Sequence, residues 1–152
     1  GEEWSERDFL SMVDLAAERG LSPRFLTVPD LPGSHERTLD EWESWAPRLS
    51  AYGWPLAFVA QDGCDPGDVP HSADVVFLGG TTEWKWRSFE PFCASFQRVH
   101  VGRVNAYRRL IRCDRLGVES VDGTGWFHDN PRQLQGLRRY LERGVEQFSM
   151  FG

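Results

Sequence analysis

Lysine is almost missing from this chain. Of its 17 basic residues only Lys85 is a lysine, and 23 acidic residues outweigh them to give a formal net charge of −6. Affinity for a nucleic-acid backbone comes mainly from clustered cations, so this balance excludes indiscriminate phosphate binding and leaves only a local basic face. Arginine's planar fork suits bidentate contacts to phosphate or carboxylate, although codon composition alone would produce the same bias.

Long apolar runs are missing as well. None approaches the ~20 residues needed to span a bilayer. The opening Gly1-Glu2-Glu3-Trp4 has neither the basic nor the apolar region of a signal peptide. A cytoplasmic protein with no membrane partner is therefore expected. Cysteine is scarce: Cys64, Cys93 and Cys113 match neither a disulfide framework nor a CxxC metal site, and no Cys/Cys/His group has ligand spacing. Reduced thiols, no metal and no other cofactor are the expectation.

What is present, 152 residues with 40% hydrophobic and 26% charged, is the composition of one globular domain. Ser5 to Arg19 predicts a helix: Ser5 can cap it, Asp8 follows as in a capping box, and Phe9, Met12, Val13 and Ala16 recur at helical spacing before Gly20. A short strand from Arg24 to Val28 runs into Pro29-Asp30. Within Ser34 to Ala51, Leu39, Trp42, Trp45, Ala46 and Leu49 form one apolar helical face, with a kink or break expected at Pro47.

The unit then repeats. Strands are expected at Leu56 to Ala60, Asp74 to Leu78, Arg98 to Val104 and Val118 to Val121. Helices are expected around Ser88 to Gln97, over Asn105 to Leu116 with Gly117 as its stop, and after an Asn130 cap with Pro131 first, carrying Leu134, Leu137, Tyr140 and Leu141. Strands alternating with helices imply an α/β fold with a parallel sheet. A closed eight-stranded barrel usually needs ~250 residues, so five βα units make part of a TIM-type (β/α) barrel or an open five-stranded sheet. The first element is a helix whose partner strand would precede residue 1. That favours an incomplete barrel, finished by another segment or a second copy of the chain.

Each apolar run ends in polar or glycine residues: Val28-Pro29-Asp30, Gln61-Asp62-Gly63, Gly79-Gly80-Thr81-Thr82-Glu83, Gly102-Arg103-Val104-Asn105 and Val121-Asp122-Gly123-Thr124. In parallel α/β folds ligands sit outside the carboxyl ends of the strands, so this rim is where chemistry is expected. Asp122, beside a glycine-rich turn, can act as nucleophile or general base, or simply cap the turn. Asp30 is the same kind of residue, and two rim carboxylates are the minimum set for displacement at a sugar carbon.

The Gln61 amide suits the edge of a planar heterocycle, or satisfies loop backbone. Gly79 and Gly80 either let a ligand reach a backbone N–H or make a tight turn. Glu83, Lys85 and Arg87 alternate with Trp84 and Trp86 on what reads as one loop, which could stack on bases and hold phosphates, or fold back onto the core. His100 and Arg103, three apart on one strand, face opposite ways unless the strand bends. Lys85, Arg103 and Asn105 are the candidate nucleic-acid contacts, while Arg108, Arg109, Arg112 and Arg115 read chiefly as a solvated helix face.

In that order these rim segments resemble the phage and bacterial relatives of queuine tRNA-ribosyltransferase, the tRNA-guanine transglycosylase superfamily, some of which act on DNA. The likeness runs from Arg24 to Arg143. Its specific parts are Gly-Gly-Thr-Thr-Glu-Trp-Lys and Ser-Val-Asp-Gly-Thr. The resemblance implies that Asp122 attacks the anomeric carbon, expels guanine and holds the sugar covalently. It implies that Asp30 recognises the purine's donor edge, and that Gln61 with the Gly79-Gly80 backbone holds O6 and a ring nitrogen. The implied partners are a nucleic acid, DNA or tRNA, and a guanine or 7-deazaguanine base.

Two family features have no counterpart here. An aspartate in an Asp-(Ser or Asn)-Gly segment would lie before residue 1, and the cysteine-rich zinc site of the tRNA enzymes is missing. Exchange of guanine for a 7-deazapurine is thus the leading expectation. A non-catalytic purine-binding barrel remnant and a base-excising glycosylase are its rivals.

Overall fold

Five short parallel strands form one sheet in the computed structural model, which describes residues 4–126 and 131–149. Their spatial order follows their order in the chain: β1 (Leu26–Thr27), β2 (Leu56–Ala60), β3 (Val75–Leu78), β4 (Val99–Val101) and β5 (Ser120–Val121). Between them run α2 (His35–Leu49), α3 (Thr82–Ser95) and α4 (Tyr107–Arg115), with α1 (Glu6–Glu18) before β1 and α5 (Pro131–Ser149) after β5. Sequential order without a reversal is the arrangement of a barrel wall; a doubly wound sheet reverses its order at a switch point. The sheet is curled into a half-barrel.

The period-2 geometry of a strand sorts the side chains into two faces. Phe58, Val76, Leu78, Val99 and Val101 join Trp42, Trp45 and Leu49 of α2 and Phe89 and Phe92 of α3 in the buried core. Each large apolar side chain so buried contributes about 1.5–3 kcal/mol. The alternate residues line the concave face: Val59 is level with Phe77, Phe77 with His100, and His100 with Ser120. The curl brings distant parts together there. Phe25, just before β1, packs its ring 5.2 Å from His100 on β4.

At the N-terminal ends of the strands the two edges are bridged by charge. Arg24, ahead of β1, donates to Glu119, ahead of β5, at 2.8 Å, while Arg98 donates to Glu119 through Nε and Nη2 and to the Arg24 carbonyl. Arg98, with Arg24 adding, holds the Glu119 carboxyl down to about 2.

Several boundaries differ from expectation. α3 begins at Thr82 rather than near Ser88, because Thr81 caps it by accepting from Trp84 N and Asp62 in turn holds Thr81. The Glu83–Arg87 stretch is therefore the first turns of a helix, not a loop. β4 stops at Val101, and Arg103 adopts a left-handed φ of 56°, so the strand does bend before Arg103. α2 continues through Pro47 to Leu49 and ends in a 3₁₀ turn. Met12, expected on the apolar face of α1, is 59% exposed, whereas Val13 is buried. The expected Asn130 cap lies outside the described residues.

Candidate active site

Each strand's last inward-facing position falls at the rim: Gln61 two residues beyond Val59, Gly79 beyond Phe77, Gly102 beyond His100 and Asp122 beyond Ser120. Together with Thr27 and Asp30 they enclose a cavity of about 260 Å³. The two glycines shape it. A Cβ at Gly79 would lie 2.8 Å from Val59 Cγ1, and one at Gly102 would lie 2.6 Å from Phe77 Cε2. With no side chains there, Val59 and Phe77 form an apolar floor beneath polar walls, a shape suited to a flat ring with a hydrogen-bonding edge.

One wall is a hydrogen-bond network around Gln61, which is buried. Its Nε2 donates to Asp30 Oδ2 at 2.6 Å, and its Oε1 accepts from Gly33 N at 3.1 Å and Gly80 N at 3.0 Å. Gly79 N donates to the Ala60 carbonyl. Both glycine N–H groups are thus committed inside the protein, which corrects the expectation that this backbone offers a free N–H to a ligand. The pair serves the tight turn instead: Gly80 has φ +60°, and a Cβ there would lie 2.5 Å from the Trp84 ring. Burial raises the Asp30 carboxyl above its ordinary range, with the Gln61 N–H opposing. Its second oxygen is the group on this wall still seeking donors.

The facing wall is built on Asp122, whose side chain is 50% exposed. Oδ1 accepts from Arg103 N at 2.8 Å, and Oδ2 faces His100 Nε2 at 3.1 Å. The His100 Nδ1 lies 2.9 Å from Ser120 Oγ. With the proton on Nε2 facing the carboxylate, Nδ1 accepts from the Ser120 hydroxyl, and both oxygens of Asp122 are aimed. The imidazole is wedged between Phe25 and Phe77, the latter with ring centroids 4.4 Å away. Of the linked Asp122, His100 and Ser120, the exposed member is the carboxylate, so it is the one that can meet a substrate.

The three candidate nucleic-acid contacts turn out to shape the rim from within. Lys85 is 1% exposed and donates from Nζ to the Gly102 carbonyl. Burial, with the Arg103 guanidinium adding, pushes its pKa down to about 8. Arg103 is on the exposed rim, but its Nη2 donates to the Gly80 carbonyl and ties the β3 and β4 loops together. Asn105 Oδ1 accepts from Gly125 N at 3.0 Å and steadies the loop after Asp122. Trp84 is in the core, and Trp86 packs against Phe89 with Arg109 over its ring, so neither is a free stacking platform.

His100 and Ser120 were missed as site residues by sequence reasoning. The available signal was their alternation with Gly102 and Asp122. A larger groove of about 670 Å³ lies at the opposite ends of the strands, beside Trp42, Trp54 and Asp74. Of its two carboxylates, Asp74 is committed to Leu56 N at 2.9 Å, and Ser72 accepts from Trp42 Nε1, which leaves Glu43 as its uncommitted acid. Among the described residues, His35, Cys64 and Asp68 are the group that could hold a metal ion. No protein-family model matches the chain, and no curated protein matches it.

Proposed function

We propose that the rim cavity binds a purine and that Asp122 exchanges it at the anomeric carbon of a nucleotide. The observation that carries this reading is the placement of Asp122. It is a half-exposed carboxylate aimed by the Arg103 N–H and His100, on the wall of the same cavity that Asp30 and Gln61 line. Asp30 suits the N1 and N2 donors of guanine, which would supply hydrogen bonds to the half-buried carboxyl beyond the one from Gln61.

In the first displacement an Asp122 oxygen attacks C1′ as the C1′–N9 bond breaks and its electron pair leaves with the base. The departing guanine gains a proton. In the second, N9 of the incoming 7-deazapurine attacks C1′, loses its proton and expels the carboxylate, so protons balance over the cycle. Hydrogen bonds to both oxygens temper the carboxylate's nucleophilicity but fix its orientation, which is the larger requirement for in-line attack.

A nucleic-acid partner fits the distribution of charge. α4 and α5 hold eight of the 17 basic residues and three acidic ones, a net of +5, which leaves −11 on the rest of the chain. α4 starts two residues after Asn105 on the rim loop and packs against α5, so the basic pair begins beside the rim. The test is incorporation of labelled guanine into duplex DNA and into tRNA by the wild-type chain and Asp122→Asn. Exchange lost in the variant supports the reading, and exchange unchanged in the variant removes Asp122 from it. Release of free base without incorporation makes the protein a glycosylase. Binding without either makes it a purine-binding remnant.

A further inference from the structure

We propose a second site, for one zinc-like transition-metal ion, formed by His35, Cys64 and Asp68. It clamps the two segments that hold Gln61. His35 opens α2, Cys64 lies in the loop after β2, and Asp68 ends the following 3₁₀ turn (Pro66–Asp68). One donor atom from each lies within 4.8 Å of the other two. Ligand atoms around a tetrahedral zinc lie about 3.5 Å apart, so closing the set takes movement of about 1 Å, which the exposed Asp68 carboxylate can make. Spacings of 29 and four residues hide the set from any sequence motif.

The imidazole carries the strongest indication. Neither nitrogen of His35 has a hydrogen bond: Nδ1 is buried without a partner, and Nε2 is the nitrogen that faces Asp68. Its Nε2 stands 3.8 Å from Asp68 Oδ2, too far for a hydrogen bond. Cys64 is 1% exposed, and its Sγ makes only a weak 3.5 Å contact with the Asp65 carbonyl. Asp68 Oδ2 also accepts from Asp65 N at 2.8 Å, which leaves its other oxygen open. A thiolate, an imidazole and a carboxylate select zinc, cobalt or iron over magnesium or calcium, and a fourth position on the Asp68 side is left for water.

The position has a consequence for the purine pocket. Cys64 N donates to the Gln61 carbonyl at 3.0 Å, and Gly33, two residues before His35, donates to the Gln61 side chain. An ion joining Cys64 to His35 therefore fixes both segments that orient Gln61 and, through it, Asp30. The site stands on its own donor geometry, so metal content tests it whether or not base exchange occurs.

The chain, stripped with a chelator, is titrated with Co²⁺ and then Zn²⁺. The expected result is one ion per chain, a thiolate-to-cobalt charge-transfer band, and at least a tenfold loss of affinity in His35→Gln and Cys64→Ser, with Cys93→Ser unchanged. Cobalt bound without the band, or zinc held equally by the wild type and His35→Gln, overturns the proposal. Should Cys64→Ser fail to fold, the band in the wild type and its loss in His35→Gln still decide.

Discussion

Glu119 and Asp122 stand three residues apart at opposite ends of β5, and the protein treats their carboxylates in opposite ways. Glu119 lies between two guanidinium groups that hold it down to about 2. Asp122 is held by a backbone N–H and an imidazole, and the nearby Arg103 guanidinium is turned to the Gly80 carbonyl. Charge is neutralised where the sheet's edges must be held together, and left available where the cavity opens. A βα wall whose carboxyl-end rim carried chemistry would show this same division.

The comparison is broken most severely at the rim's own scaffold. Gly80→Ala would place a Cβ at φ +60° and against a buried tryptophan, so it should cost about 2–4 kcal/mol from left-handed strain and overpacking together, read as a drop in the denaturation midpoint. At the other end, Glu119→Gln should cost about 1–2 kcal/mol near neutral pH, discounted because both arginines are partly exposed to solvent. Its folded pKa lies below its unfolded one, so this contribution is fully present above about 4.5 and fades as pH falls toward about 2. Wild type and variant should converge in stability over that window in acid titrations followed by circular dichroism.

The smallest effect concerns Asp30. A carboxyl raised by burial accepts most strongly from a purine's donors when ionised, so guanine affinity should rise as pH climbs through its raised pKa. Asp30→Asn should flatten that profile and weaken binding about 3- to 10-fold, measured by calorimetry.

Much of this fold was legible because local chemistry and tertiary packing agree. Leu56–Ala60 is an unbroken apolar run and is a strand buried on both faces; Ser5 and Ser34 cap helices with their hydroxyls, and Gly117 ends one with a left-handed φ of 69°. Asp30, Gln61 and Asp122 stand out as rim candidates because they terminate such runs, and the fold brings them to one cavity. The misread stretch was α3, where Trp84, Lys85, Trp86 and an internal Pro91 obscured a helix that Thr81 starts. Lys85 illustrates the limit: the chain's one lysine reads as a surface cation, yet its ammonium is buried under Gly102. His35, Cys64 and Asp68 meet only once α2 packs beside β2.

Covalent capture is the most direct test of Asp122 as the attacking group. The wild-type chain, incubated with a guanine-containing oligonucleotide and quenched in denaturant, should carry a base-stripped oligonucleotide detected by intact mass and mapped to Asp122. Free guanine should chase that adduct away, and Asp122→Asn should form none. An adduct that persists in Asp122→Asn, or that maps to Ser120, would contradict the account.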